Sequence, residues 1–171
     1  MLILMAGLPG SGKTTLAREL AARTSGREVS KDEIRHAIFQ PEEVEYSSLQ
    51  DDFCMQIMLQ AAAYLFERQR DRLVFLDGRT FSRRSQIDNV IAAAASMQQP
   101  WRILECICSD ETAKQRLDQN WASGEHPADN RNFQLYLAVK ARFEAITLPK
   151  TVIDTDQALE ACIEKALAGL R

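Results

Sequence analysis

With 171 residues, 46% of them apolar and 26% charged, the chain has room for one domain with a sizeable core and the composition of an ordinary globular protein. Its net charge of −3 and pI near 5.5 run against the basic excess of a protein that grips a long nucleic acid. No apolar run approaches the roughly 20 residues of a membrane span, and Met1 leads straight into an apolar stretch with no room for a signal peptide. Cys54, Cys106, Cys108 and Cys162 form no C-x-x-C pair and no zinc set, which suits reduced thiols and a cytoplasmic location.

Leu2-Ile3-Leu4-Met5-Ala6 is uncharged and reads as a strand buried on both faces of a parallel sheet. It runs into Gly7-Leu8-Pro9-Gly10-Ser11-Gly12-Lys13-Thr14, followed by Thr15-Leu16-Ala17-Arg18 in helical periodicity. Strand, G-x-x-x-x-G-K-T and helix together are the P-loop in its proper context. The glycines let successive N–H groups turn inward around phosphate oxygens, and the helix adds its unpaired first-turn donors. Gly7 to Thr15 are therefore the candidate ATP-binding residues. Lys13 is the cation for the β- and γ-phosphates, and Thr14 supplies a hydroxyl for Mg²⁺.

The first helix should run from Lys13 to about Arg23 and stop near Ser25-Gly26. Arg27 to Ser30 is a short strand, and Ser30-Lys31-Asp32-Glu33 has the spacing of a capping box that opens a helix ending before Pro41. Asp51 to Arg70 is the longest helical pattern, with Phe53, Cys54, Ile57, Met58, Ala61, Leu65 and Phe66 along its inward face. Leu73 to Gly78 is a buried strand ending in Asp77. Helix is expected from Arg83 to Met97, strand from Trp101 to Cys108, helix from Ser109-Asp110 to Asn120 and loop from Ala122 to Asn130. A helix from Arg131 to Ile146, a strand from Thr151 to Asp154 and a helix from Gln157 to Leu170 complete the chain. This alternation predicts a three-layer α/β/α P-loop NTPase domain spanning 1–171, with ligands at the carboxyl ends of its parallel strands. Asp32, Arg35, Asp77, Arg79, Arg83, Arg84 and Arg116 fall at or after those ends, as phosphoryl transfer requires: an acid for the acceptor's proton and cations for the moving charge.

The P-loop, then Val29-Ser30-Lys31-Asp32-Glu33-Ile34-Arg35, then Leu76-Asp77 with arginines behind it, resembles the small P-loop kinases. The likeness is to the kinase domain of phage polynucleotide 5′-kinase and the short bacterial ATP-binding proteins grouped with it, and more distantly to chloramphenicol phosphotransferase and zeta-toxin kinases. The resemblance implies a five-stranded parallel sheet of order 2-3-1-4-5 and a helical lid over ATP, at about residues 110–131. It makes Asp32 the general base, where spacing alone equally allows an acid favoured by the helix dipole. It gives Arg35, one turn on, a phosphate of the substrate. Asp77 becomes the Walker-B-like acid, acting on Mg²⁺ or on the acceptor hydroxyl, with Arg79 beside the acceptor. Arg116 is the candidate lid arginine. Asn120 stands where many lids carry a second arginine, and Arg131 is the alternative. His126 reads as a loop residue, and Lys140, Arg142 and Lys150 as solvated.

The expected activity is transfer of the γ-phosphoryl group of Mg·ATP to a hydroxyl. Gln40 to Leu49 holds Glu42, Glu43, Glu45 and Tyr46 with no basic residue, which would repel a polyanion and suits a neutral or cationic small molecule as acceptor. An acceptor with its own phosphate on Arg35 remains compatible. A polynucleotide 5′-hydroxyl kinase and a nucleotide-dependent regulatory ATPase are the alternatives. The sequence does not give the acceptor's identity or the oligomeric state.

Overall fold

The computed structural model describes residues 1–123 and 132–171, with side chains outside 120–131. Five parallel strands, β1 (Leu2–Ala6), β2 (Arg27–Ser30), β3 (Val74–Asp77), β4 (Trp101–Ile107) and β5 (Thr151–Asp154), form one sheet of order β2-β3-β1-β4-β5. Seven helices accompany them among the described residues: α1 (Lys13–Thr24), α2 (Lys31–Ile38), α3 (Ser48–Arg68), α4 (Arg84–Ser96), α5 (Asp110–Ser123), α6 (Phe133–Ala141) and α7 (Leu159–Gly169). This is the α/β/α P-loop architecture that the alternation predicts, with the strand order that the resemblance implies.

Strand β1 is wholly buried because both of its faces are covered. Leu2, Leu4 and Ala6 pack with Met55, Met58 and Phe66 of α3 and Val90 of α4. The alternate residues Ile3 and Met5 pack with Leu16 and Leu20 of α1 and Ile163 of α7. Each such buried aliphatic side chain contributes about 1.5–3 kcal/mol relative to exposure, so the central strand is also the best-anchored one. No described helix is long and apolar enough to cross a membrane.

Three local differences from the periodicity bear on the site. In α2 the Ser30 hydroxyl accepts from the Glu33 N–H at 3.4 Å. The reciprocal arm of the expected capping box is absent, because the Glu33 carboxylate takes the Arg18 guanidinium at 3.0 Å. Helix α3 starts at Ser48, capped by Ser47, and buries Cys54, Met55, Met58, Ala62 and Phe66, while Phe53 is exposed. Helix α6 ends at Ala141 rather than Ile146. The Glu144 N–H donates to the Ser82 carbonyl at 2.9 Å and Ile146 enters the core, so tertiary pairing overrides a helical pattern that would have continued.

Candidate active site

The P-loop is shaped by space as well as by torsion. Gly7 adopts φ 134°, and a Cβ there would lie 2.2 Å from the Cys106 carbonyl. Gly12, at φ 78°, caps α1 without a side chain, which leaves the first-turn N–H groups to an anion. Lys13 is buried, and its ammonium donates to the Leu8 carbonyl at 2.8 Å and to Ser11 Oγ at 3.4 Å. In the register of the sheet, Asp77 stands beside Ser30 at the ends of β3 and β2.

Thr14 and Asp77, expected at a metal, are brought into contact. The Thr14 hydroxyl donates to Asp77 Oδ2 at 2.6 Å. Asp77 is 1% exposed, and its Oδ1 is buried with no hydrogen-bond partner among the described residues. An orphaned carboxylate oxygen beside a hydroxyl is a hard-oxygen donor set that fits Mg²⁺. Glu28 lies close behind, its carboxyl pushed up to about 7 by burial first and by the charge of Asp77 next.

On one side of the P-loop a cavity of about 510 Å³ is lined by Gly12, Thr14, Thr15, Arg116 and Thr155. The Arg116 guanidinium donates to the Thr155 hydroxyl at 2.9 Å, to the Thr155 carbonyl at 2.7 Å and to the Gly10 carbonyl at 3.4 Å. The Thr155 hydroxyl lies 3.0 Å from the Ser11 carbonyl, so the loop after β5 helps to hold both the P-loop and Arg116. Arg131, His126 and the distal part of the expected lid lie outside the described residues.

On the other side a cavity of about 160 Å³ contains Asp32. Asp32 is 3% exposed and Arg35 is fully buried. Arg35 donates to Asp32 Oδ1 at 3.0 Å and to Gln50 Oε1 at 3.0 Å, and also binds Asp51. Arg35, expected to meet a substrate phosphate, thus has its Nε and both terminal nitrogens engaged by the protein. Lys31 reaches Asp51 at 2.5 Å and Asp32 at 3.8 Å. Burial pushes the Asp51 carboxyl up, but the charges of Lys31 and Arg35 outweigh it and hold the group below the usual carboxylate range. Lys13 borders both cavities.

The acidic 40–49 stretch does not set the charge of this second cavity. Glu42, Glu43 and Glu45 are exposed and do not line it, whereas Tyr46 and Ser48 do, and the Arg35 guanidinium stands 5.2 Å from the Tyr46 ring centre. The lining instead gathers Arg79, Arg83 and Arg142. Arg142, read from sequence as solvated, is exposed and also lines the wall; Lys140 and Lys150 pair with Asp110 and Glu105. Arg84 binds Asp88 at 2.7 Å and does not line the cavity. Asp51 was missed because it reads as the first-turn acid of an amphipathic helix, and Arg142 because the break in α6 is tertiary.

The sequence matches the family model AAA_33, described as an AAA domain, over residues 2–146. No curated protein matches it. Among solved structures it is similar to a candidate kinase from Chloroflexus aurantiacus (TM-score 0.77, 20% identity, covering 99% of this chain and 98% of that one). It is also similar to a gluconokinase from Sinorhizobium meliloti (0.71, 16%, 99% and 90%). A third likeness is to the APS kinase CysC of Mycobacterium tuberculosis, solved with AMPPNP and APS (0.73, 13%, 99% and 96%). These likenesses carry the fold, and they do not single out the polynucleotide 5′-kinase branch that the motifs suggest. With the P-loop, the strand order and a match across most of its length, the chain belongs to the AAA_33 family of AAA domains.

Proposed function

We propose that the protein is a Mg·ATP-dependent kinase that transfers the γ-phosphoryl group to a hydroxyl of a small-molecule acceptor. The observation that carries this reading is the position of Lys13 on the wall between two cavities, with the P-loop and Arg116 in one and Asp32 in the other. ATP binds through Gly7 to Thr15, its phosphates meeting the N–H groups at the start of α1, with Arg116 and Arg131 assigned to the nucleotide as well. Thr14 and Asp77 would hold Mg²⁺, which would supply charge neutralisation to the phosphates.

Asp32 accepts the proton of the acceptor hydroxyl as its oxygen bonds to the γ-phosphorus and the bond to the β–γ bridging oxygen breaks, releasing ADP. Lys13 and Arg116 spread the charge of the moving phosphoryl group. Arg35 acts through Asp32 as a positioning residue: its fixed fork holds one carboxylate oxygen so that the group keeps one orientation. Arg79 and the walls of the smaller cavity receive the acceptor.

The test is a metabolite pool incubated with γ-labelled ATP and the purified protein. A newly labelled small molecule, lost in Asp32→Asn, supports the reading; release of inorganic phosphate alone would point to a regulatory ATPase. The cations around the smaller cavity favour, as a second reading, a 5′-hydroxyl oligonucleotide as acceptor. Its efficient labelling, falling steeply with salt, would replace the small molecule.

A further inference from the structure

The charge around the acceptor cavity is divided between two walls. The α2–α3 wall supplies both lining carboxylates, Asp32 and Asp51, and these are matched there by Lys31 and Arg35. The second wall comes from the segment after β3 and the end of α6, which the Glu144 N–H to Ser82 carbonyl bond holds together. It presents Arg79, Arg83 and Arg142 and no lining carboxylate.

These three arginines are under-compensated. Arg79 is 8% exposed; its one ion-pair partner is Asp52 at 2.7 Å, and its Nε–H is buried with no hydrogen-bond acceptor among the described residues. Arg83 and Arg142 make no ion pair among the described residues. Nothing about folding requires an arginine at either exposed position, and a buried guanidinium N–H without an acceptor is costly. A wall with about two uncompensated positive charges is balanced by a dianion rather than by a single carboxylate. A phosphomonoester carries about −1.5 to −2 at neutral pH and offers the oxygens that arginines bind in pairs.

Resting on the kinase reading above, we infer that the acceptor is a small molecule that already carries a phosphate-type dianion, bound by Arg79, Arg83 and Arg142 while its hydroxyl lies at Asp32. The kinase would thus act on a monophosphorylated alcohol, and a prior phosphorylation or a phosphate-ester-releasing reaction must supply it.

The experiment titrates inorganic phosphate into the full chain saturated with Mg·AMPPNP, followed by calorimetry, so that the P-loop is already filled. One phosphate should bind per chain, and the double variant Arg83→Ala, Arg142→Ala should weaken it by about tenfold or more, a loss of about 1.4 kcal/mol or more. Its AMPPNP affinity should match wild type, since neither residue lines the nucleotide cavity. Four results would overturn the inference: no binding beside AMPPNP; binding only without it, which would assign these arginines to the γ-phosphate; equal affinity in the double variant; or acetate binding as tightly as phosphate. The kinase reading fails separately. Phosphate binding without any labelled product would remove the kinase and keep the anion site, whereas labelling confined to uncharged alcohols would keep the kinase and remove the anion site.

Discussion

The Thr14 hydroxyl donates to Asp77 Oδ2 at 2.6 Å, and the other Asp77 oxygen is buried without a partner among the described residues. The helix that follows the P-loop is thereby tied to the end of β3 at the point proposed for Mg²⁺. Asp77→Asn should leave metal-free ATP binding near wild type but shrink the gain in affinity that Mg²⁺ provides by about tenfold or more, since one charged ligand contact is worth roughly 1.5–3 kcal/mol. ATP titrations with and without Mg²⁺ measure this, and an undiminished Mg²⁺ effect would remove Asp77 from the metal.

Lys13 keeps its ammonium on the Leu8 carbonyl and Ser11 Oγ, in reach of both cavities. Lys13→Ala should lower ATP affinity by about tenfold or more, the scale of one charge-assisted hydrogen bond. Calorimetry with AMPPNP reads this directly, and wild-type affinity in the variant would contradict nucleotide binding at the P-loop.

Asp32 and Arg35 should separate chemistry from stability. Asp32→Asn is expected to slow transfer by about 10² to 10⁴ with AMPPNP affinity retained. Arg35→Ala removes a fully buried cation from Asp32 and Asp51, with Lys31 still beside both, and breaking such a pair costs about 3–5 kcal/mol. Its melting temperature should fall by roughly 10 °C. An Arg35→Ala protein as stable as wild type would show that the buried network carries little energy.

Glu28 gives a pH signature. Burial, and then the charge of Asp77, raise its carboxyl from 4.5 to about 7 in the fold. A folded value above the unfolded one means that the native state keeps a proton the unfolded chain releases, so stability declines as pH rises from about 4.5 to 7. Its side chain retains 12% exposure, and after discounting for solvent the penalty at pH 8 is about 1 kcal/mol. Glu28→Gln should therefore be more stable than wild type at pH 8, with the gap narrowing towards pH 5. Urea midpoints at the two pH values test it, and a gap independent of pH would exclude Glu28 as the cause.

Most of the architecture was legible because it rests on local signals. The uncharged Leu2–Ala6 run, the P-loop glycines and the Ser30 cap each act within a few residues. The strand order came from family resemblance, since periodicity does not order strands. What stayed hidden was set by contacts distant in sequence. Arg35 is buried by Gln50 and Asp51. Arg142 reaches the cavity because residues 142–146 leave the helix to pair with Ser82 and to bury Ile146. Composition also does not say that the exposed acids at 42, 43 and 45 leave the cavity lining to Tyr46 and Ser48.

Gly78 adopts φ 93°, and a Cβ there would stand 2.9 Å from Lys31 Cβ and 3.1 Å from its backbone nitrogen. The end of β3 and the start of α2 therefore meet backbone to backbone, on top of the ladder that aligns Ser30 with Asp77. This close approach sets the backbone spacing between Asp32, proposed as the base, and Asp77, proposed for the metal. A side chain at position 78 would force these two elements apart and with them the two acids.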